Sequence, residues 1–524
     1  MINKVKRLFN TLKYLKPIQV FYQFKYRFLP SKNKISVQIS PNDEIEVNEM
    51  FFWKPSSTKI QRNGLEFLNK SVGFINGGNI PWDFSDYGML FRYNLGYFEC
   101  IFDSSITKDQ GLYLIKNFIN DVDENSPLYD PYPTSLRSVN WIKFFVKNNI
   151  SDLYLLNGLV RGYEKLLGKL EYHLLANHLF ENGVSLFIGG VYLNNSILLD
   201  KGIQILTKEL KEQVLSDGAH YELSPSYHYL LTYRLLDCIA FAEGSSIDIS
   251  DDFESLLRSR AELMMGFARN IRFGNSIPHL NDSAPEIYPD LKVLNDYSNQ
   301  LRINPKQNVL GESGFRILRD ENFELLFNLT QISPSYQPGH AHADSLSVLL
   351  NYKGLPILVD TGVSTYEKNE RRLFERSTAA HNTVCLDNQN SSDVWGGFRV
   401  GRRANTIIEE VISNSILAKH DGYRHLKAVH QRKVEIGNNQ AIITDWITEN
   451  VNVACKANFV FSESLDLSIR GNCVTLSNGL EFVFEGSVEI VEYDIQVSKG
   501  FNFLVDTKKL EVSFLGFLKT VIKS

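Results

Sequence analysis

Apolar positions recur every three or four residues through much of the first 300 residues, the spacing of one face of a helix. Leu112, Ile115, Phe118 and Ile119 follow it, as do Leu155, Leu156, Leu159, Tyr163, Leu166 and Leu167. Similar runs cover 174–187, 197–214, 227–241 and 253–271, with Gly189-Gly190, Gly218, Gly244 and Gly274-Asn275 read as the breaks between them. Helices joined by short breaks predict antiparallel hairpins, arranged as a bundle or as a toroid of helix pairs. No fixed repeat length recurs, which disfavours a simple solenoid.

After about residue 310 the texture changes. Residues 323–329, 347–351, 357–359, 383–386, 442–446, 459–461, 474–476 and 482–484 are short β-rich runs. Turn signals such as Gly437-Asn438-Asn439 and Asn478-Gly479 lie between them, which predicts an antiparallel β-sandwich. The boundary is expected near 302–309, around Pro305, so a helical domain over 1–305 precedes an all-β domain over 306–524.

The first 29 residues are basic, and Leu8, Leu12 and Leu15 are spaced as in an amphipathic helix. They contain no continuous 7–15-residue apolar run of the signal-peptide kind. The apolar stripe is expected to pack on the protein's own body, with a membrane-surface helix as the alternative. No stretch approaches the ~18 apolar residues of a membrane span, so no transmembrane segment and a cytoplasmic location are expected, the periplasm staying open.

Composition narrows the partners. A net charge of -5 argues against bulk nucleic-acid binding. An aromatic share of 12% suggests stacking surfaces of the kind carbohydrate sites use. The five cysteines are scattered, odd in number and without CxxC spacing, so they read as free thiols and not as a disulfide or thiolate metal framework.

The densest chemistry lies in Gln337-Pro338-Gly339-His340-Ala341-His342-Ala343-Asp344-Ser345, followed by Pro356–Gly362 and Thr378-Ala379-Ala380-His381-Asn382-Thr383. Three of 11 histidines fall within about forty residues, interleaved with Asp344 and Asp360, and imidazole plus carboxylate is a usual Zn²⁺ ligand set. Read as a strand, the segment puts His340, His342 and Asp344 on one face, with Ala341, Ala343 and Ser345 behind. In the helical half, Asn177, His178 and Glu181 share a helix edge. Ser224-Pro225 reads as an N-cap and first helical position, which places Tyr227 in a first turn. Asn, His, Tyr and a second His make a kit for removing a proton next to a carboxylate.

These stretches resemble the heparinase II/III-like family of polysaccharide lyases, which includes oligoalginate lyases. The resemblance runs through Leu90-Phe91-Arg92-Tyr93-Asn94-Leu95-Gly96-Tyr97-Phe98, Pro131-Tyr132-Pro133-Thr134-Ser135 with Asn140-Trp141, Asn177-His178-Leu179 and Ser224-Pro225-Ser226-Tyr227-His228. It is densest at Gly339–Asp344 and Arg376–Thr383. It implies an α+β multidomain chain, an incomplete (α/α) toroid followed by an antiparallel β-sandwich, with a site in the cleft between them. The implied activity is that of a carbon–oxygen lyase cleaving a uronic-acid-containing polysaccharide or oligosaccharide by β-elimination.

By the same resemblance, Asn177 neutralises the substrate carboxylate and His178 assists it or acts as base. Tyr227 protonates the leaving O4, and His340 is the alternative base. His342, Asp360 and His381 match the zinc ligands of a structural site, and Asp344 is expected to position a histidine. Some family members place a glutamate at the position of Glu181, which here could instead orient His178 or close a salt bridge. Arg371, Arg372, Arg376, Arg399, Arg402 and Arg403 outnumber the acids of their stretch and suit carboxylate or sulfate, with Arg376 and Arg399 as candidate substrate contacts. Tyr366 and Trp395 are candidate sugar contacts. The basic start resembles relatives associated with cell-surface polysaccharide production, which makes a nascent glycan a candidate substrate. A non-catalytic glycan-binding protein on the same fold and a metal-dependent hydrolase are the rival expectations. The polymer, the epimer, endo or exo action and a homodimer stay open.

Overall fold

The structure, a computed structural model, describes residues 2–29, 36–42, 44–46, 48–74, 79–450 and 453–524, with side chains described from residue 5. Its helices in chain order begin with α1 (Ile2–Leu12), α2 (Pro17–Phe28), α3 (Gly88–Tyr97), α4 (Lys108–Asp121), α5 (Pro131–Asn148) and α6 (Leu153–Gly168). They continue with α7 (Ala176–Tyr192), α8 (Ser196–Gln213), α9 (Pro225–Glu243), α10 (Asp251–Asn270) and α11 (Leu291–Gln300). From Phe315 onward antiparallel strands dominate, so the chain is an α+β multidomain protein.

One expected break is a contact instead. Gly189 and Gly190 lie inside α7, and the chain turns only at Leu193–Asn195. A Cβ on Gly190 would lie 2.4 Å from the Leu199 backbone nitrogen, and one on Gly202 would lie 2.4 Å from that of Phe187. The glycines therefore let α7 and α8 approach backbone to backbone, which a reading of glycine as punctuation misses.

In the β part, one antiparallel sheet runs Phe315–Arg319, Phe323–Asn328, Val348–Tyr352 and Leu355–Leu358 in sequence order. The larger sheet has ten strands, centred on Gln440–Thr448 paired with Phe503–Lys523, which pairs in turn with Glu481–Gly500. The Gly437-Asn438-Asn439 signal does what it predicts. Asn438 and Asn439 both take positive φ (54° and 58°) and join two strands in a tight hairpin. Phe327, Leu350, Ile443, Phe459, Phe482 and Leu518 fill the space between the sheets. The helical core runs on into the β part through Phe315, Leu326, Leu349, Val363 and Phe501, so the two parts pack as one body around the site.

The N-terminal helices depart from expectation. α2 is pinned by Gln19, which is buried and donates to the Leu174 carbonyl, and by Tyr22, whose ring stacks 4.7 Å from that of Tyr172. Yet Val5, Leu8, Phe9 and Leu12 of α1 and Val20, Phe21, Phe24 and Phe28 of α2 face solvent. Most of the apolar stripe does not pack on its own protein; Gln19, Tyr22 and Tyr26, with Ile18, do. Among the described residues no helix is long and apolar enough to cross a membrane.

Candidate functional site

Two helix N-termini and one loop converge. Asn177 and His178 open α7, Tyr227 lies in the first turn of α9, and His340 comes from the β side. The approach to Asn177 is strained: Leu175 and Ala176 both take left-handed φ (64° and 55°), a cost of roughly 1–3 kcal/mol each. Local bonds hold it. The Leu175 N–H donates to the Glu171 carbonyl at 2.7 Å, and Gln213 Nε2 donates to the Ala176 carbonyl at 3.0 Å. The Asn177 N–H donates to Glu222 at 2.7 Å.

The expected strand through the histidines is absent. Residues 340–347 form an irregular loop, and the first strand after it starts at Val348. What organises the loop is a residue that sequence reading missed, Asp282. The Asp282 N–H donates to the His340 carbonyl at 3.1 Å, and Asn281 Oδ1 accepts from the His342 N–H at 3.1 Å. The Asp282 carboxylate lies 2.9 Å from both His340 Nδ1 and His342 Nε2, and Arg372 grips it with both ends of its guanidinium fork. Burial raises this carboxyl, but the Arg372 charge and the three donors outweigh burial and hold it well below the usual carboxylate range. Its only sequence signal was an Asn-Asp-Ser triplet in a loop.

With Nδ1 of His340 donating to Asp282, Nε2 is the ring nitrogen that faces the cleft. Nε2 lies 3.4 Å from Asn177 Nδ2 and 3.3 Å from Glu222. Both carboxylate oxygens of Glu222 also accept from Asn177 Nδ2, at 2.9 and 2.8 Å, and so orient the amide; this glutamate too was missed. The Tyr227 ring lies 4.2 Å from that of His340, and its hydroxyl is 3.3 Å from that of Tyr366. Burial raises the Tyr227 phenol, against a smaller lowering from the Tyr366 hydrogen bond. His178 Nδ1 bonds Glu171 at 3.0 Å, and although burial lowers this imidazole, Glu171 outweighs it and leaves it raised. Beside Tyr227 a cavity of about 80 Å³ is lined by Tyr132, Glu181, Arg234, Glu99 and Tyr366. Burial lifts Glu99 to about 7 despite Arg234.

Several expected contacts do other work. Glu181 does not orient His178; it lies 3.4 Å from Arg234 Nε and lines that cavity. Arg376 is fully buried and donates to the Ala341 carbonyl at 3.0 Å, so it braces the histidine loop from behind instead of meeting a substrate. Arg399 is exposed with its guanidinium 4.8 Å from the Trp395 ring, and the Trp395 indole N–H donates to Thr11, which fixes that hairpin on α1. Arg371 bonds Glu375, Arg402 donates to the Ser391 carbonyl, and Arg403 stacks 3.7 Å from Tyr14. Arg371, Arg372, Arg376 and Arg402 are therefore spent on acceptors inside the fold, while Arg399 and Arg403 lie against aromatic rings. Tyr366 does reach the site. The Asp344 carboxylate accepts from Asn328 Nδ2, at 2.7 Å, and not from a histidine.

His342, Asp360 and His381 do come together. The His342 and His381 rings are 5.3 Å apart, and His381 Nδ1 bonds Asp360 at 2.7 Å. His342 Nδ1 and His381 Nε2 are buried without a hydrogen-bond partner. Even so, among the described residues no group of three or more His, Cys, Asp and Glu is arranged to hold a metal ion.

Comparison with known proteins agrees along the chain. The profile described as "Heparinase II/III N-terminus" matches residues 136–311, and "Heparinase II/III-like, C-terminal" matches 302–512. A heparin-sulfate lyase of Bacteroides thetaiotaomicron is 26% identical over 286 residues, 47% of this chain and 40% of that protein. One of Pedobacter heparinus is 27% identical over 217 residues, 36% of this chain and 32% of that protein. The alignments thus span less than half the length of these relatives. In fold, a crystal structure of heparinase III superposes with a TM-score of 0.68 at 16% identity, covering 97% of this chain and 89% of the other. A heparan sulfate lyase structure from Pedobacter heparinus gives 0.55 at 16%, covering 97% and 87%.

Proposed function

Because the chain belongs to the heparinase II/III-like family, we propose that it is a polysaccharide lyase that cleaves a uronic-acid-containing glycan by β-elimination. The observation that carries this is the convergence of Asn177, Tyr227 and His340 from α7, α9 and the β-side loop, with ring and amide within 4.2 and 3.4 Å of His340. The glycosaminoglycan lyases among the relatives favour a uronate polymer as substrate.

In the reaction, the C5 proton next to the uronate carboxylate leaves as the C4–O4 bond breaks and a C4–C5 double bond forms. Charge builds on the carboxylate, and donors aimed at it supply much of the catalysis. The Asn177 amide fills that role. Glu171 raises the His178 imidazole, which favours a part in neutralising the carboxylate over action as base. His340 Nε2 takes the C5 proton, with Asp282 stabilising the imidazolium through Nδ1. The Tyr227 phenol, raised by burial and so protonated at neutral pH, gives its proton to the departing O4. Glu181, Arg234 and Tyr366 line the cavity beside Tyr227, which makes them the residues we assign to contact the substrate next to the scissile bond. The helical hairpins, such as α7 with α8, fit an incomplete toroid, and the two packed sheets fit a β-sandwich.

We assign His342, Asp360 and His381 to a structural zinc. Two buried ring nitrogens without partners are costly in an apolar interior, and a metal would satisfy both. Asp360 is turned toward His381 in the structure, so the metal would draw that carboxylate into the ligand set. Bound there, zinc would tie the loop of His340 to the strand ends of the β part. One zinc per chain is expected by elemental analysis, and chelation is expected to lower the melting temperature by several degrees, while His340→Ala keeps the metal. A chain that purifies without zinc and melts unchanged after chelation would sink the site.

The function itself is tested with heparan sulfate, alginate, hyaluronan and a host capsular polysaccharide. At least one is expected to yield unsaturated products with a new ultraviolet absorbance. Binding without absorbance on any of them would mean a glycan-binding protein.

A further inference from the structure

The first two helices and the link between them carry seven basic residues, Lys4, Lys6, Arg7, Lys13, Lys16, Lys25 and Arg27, and no acid occurs before Asp43, in a chain whose net charge is -5. Their apolar residues are at helical spacing but point to solvent. Phe9 is 66% exposed, and Phe21, Phe24 and Phe28 are 57%, 57% and 58% exposed. Soluble proteins rarely leave so large an apolar patch uncovered. The exposure is held in place by the opposite faces of the same helices. The Tyr26 hydroxyl donates to the Leu170 carbonyl at 2.5 Å, Arg7 pairs with Asp393 at 2.7 Å, and Lys16 pairs with Glu212.

Lys6, Lys13, Lys25 and Arg27 have no acidic partner among the described residues. The Lys25 and Arg27 cations lie over the rings of Tyr22 and Phe28, at 5.1 and 5.6 Å, along the border of the apolar stripe. An apolar stripe bordered by lysine and arginine, on a helix too short and polar to span, is the arrangement of a helix that lies in a membrane interface. A second copy of the chain meets this face poorly, since a self-complementary contact would set one unbalanced basic row against another. A layer of anionic headgroups complements it.

We propose that α1 and α2 form a docking face for an anionic membrane surface. Leu8, Phe9, Phe21, Phe24 and Phe28 enter the headgroup–acyl boundary, and Lys6, Lys13, Lys25 and Arg27 stay at the phosphate level. None of these residues lines the cavity beside Tyr227, and docking is independent of whether the cleft is catalytic.

The test is flotation of the full chain with vesicles of phosphatidylcholine containing about a third phosphatidylglycerol, and with phosphatidylcholine alone. The full chain is expected to float with the anionic vesicles and at least tenfold less with the neutral ones. Each basic contact is worth roughly fivefold in partitioning, so about 0.5 M salt is expected to release most of the protein. Phe21→Ser/Phe24→Ser and, separately, Leu8→Ser/Phe9→Ser are expected to lower partitioning at least tenfold while the melting temperature stays unchanged. Failure of the full chain to float with anionic vesicles at low salt overturns the proposal. So does equal flotation of wild type and both double variants. A dimer in sedimentation analysis that these substitutions dissolve, without vesicle binding, also overturns it and gives the face to a second copy.

Discussion

Replacing Tyr227 by Phe is expected to lower kcat on the best uronate polymer by roughly 10²–10⁴-fold while KM, fold and metal content stay close to wild type. The hydroxyl is the only group removed, and in the structure its partner is Tyr366 at 3.3 Å, so little packing is lost. The ring keeps its 4.2 Å contact with His340. The loss falls on kcat because the proton is needed only as O4 departs, and binding of the intact chain does not use it. Burial raises this phenol above the ordinary tyrosine value, so the acid stays protonated to higher pH. The alkaline limb of kcat/KM is therefore expected above about pH 10, where free tyrosine titrates. A Tyr227→Phe enzyme with full kcat, or an alkaline limb that Tyr227→Phe leaves in place, would remove Tyr227 from the chemistry.

Asp282→Asn is expected to cost both stability and rate. The residue is fully buried and serves His340, His342 and the equally buried Arg372. An amide of the same shape leaves the guanidinium without a counter-charge, a loss of about 3–5 kcal/mol for a buried pair broken on one side. It also turns a donor toward ring nitrogens that need an acceptor, so His340 loses the tautomer that points Nε2 into the cleft. A fall in kcat of about 10²–10⁴-fold is expected from the surviving folded enzyme, as for other His–Asp pairs. Denaturant midpoint and kcat are read together. His340→Ala is the comparison, since it should abolish turnover and, by leaving the Asp282–Arg372 pair intact, lower the midpoint less than Asp282→Asn does. If Asp282→Asn changes neither midpoint nor kcat, the carboxylate organises nothing.

The contrast between Asp282 and Tyr227 shows what each level of description can see. The position of Tyr227 was legible because it is set locally: Ser224-Pro225 starts a helix, and the third residue of a helix start has a defined place. Asn177 and His178 were legible in the same way, as were the helical periodicity and the Gly437-Asn438-Asn439 hairpin, all properties of residues a few positions apart. Asp282 lies 58 residues from His340 and 90 from Arg372, and no local pattern marks it. Arg376 is the converse case. Its charge suggested substrate, but its acceptor is the carbonyl of Ala341, 35 residues away.

The opening helices divide along the same line. Their amphipathic period was plain in the sequence, while the direction of the apolar face depended on which side the rest of the fold could grip. The histidine loop shows it most sharply. The alternation of His340, His342 and Asp344 suggested a strand, but the Asp282 N–H and Asn281 Oδ1 take backbone bonds a ladder would have made, and the two imidazoles share the Asp282 carboxylate. Short-range physics, which is periodicity, capping and turn chemistry, is written in neighbouring residues, so the sequence alone determined the helices, the β-rich second half and the places of Asn177, His178 and Tyr227 at helix starts. Which groups face a substrate, which brace one another and which face is left bare depended on contacts between distant segments, and only the tertiary structure decided them.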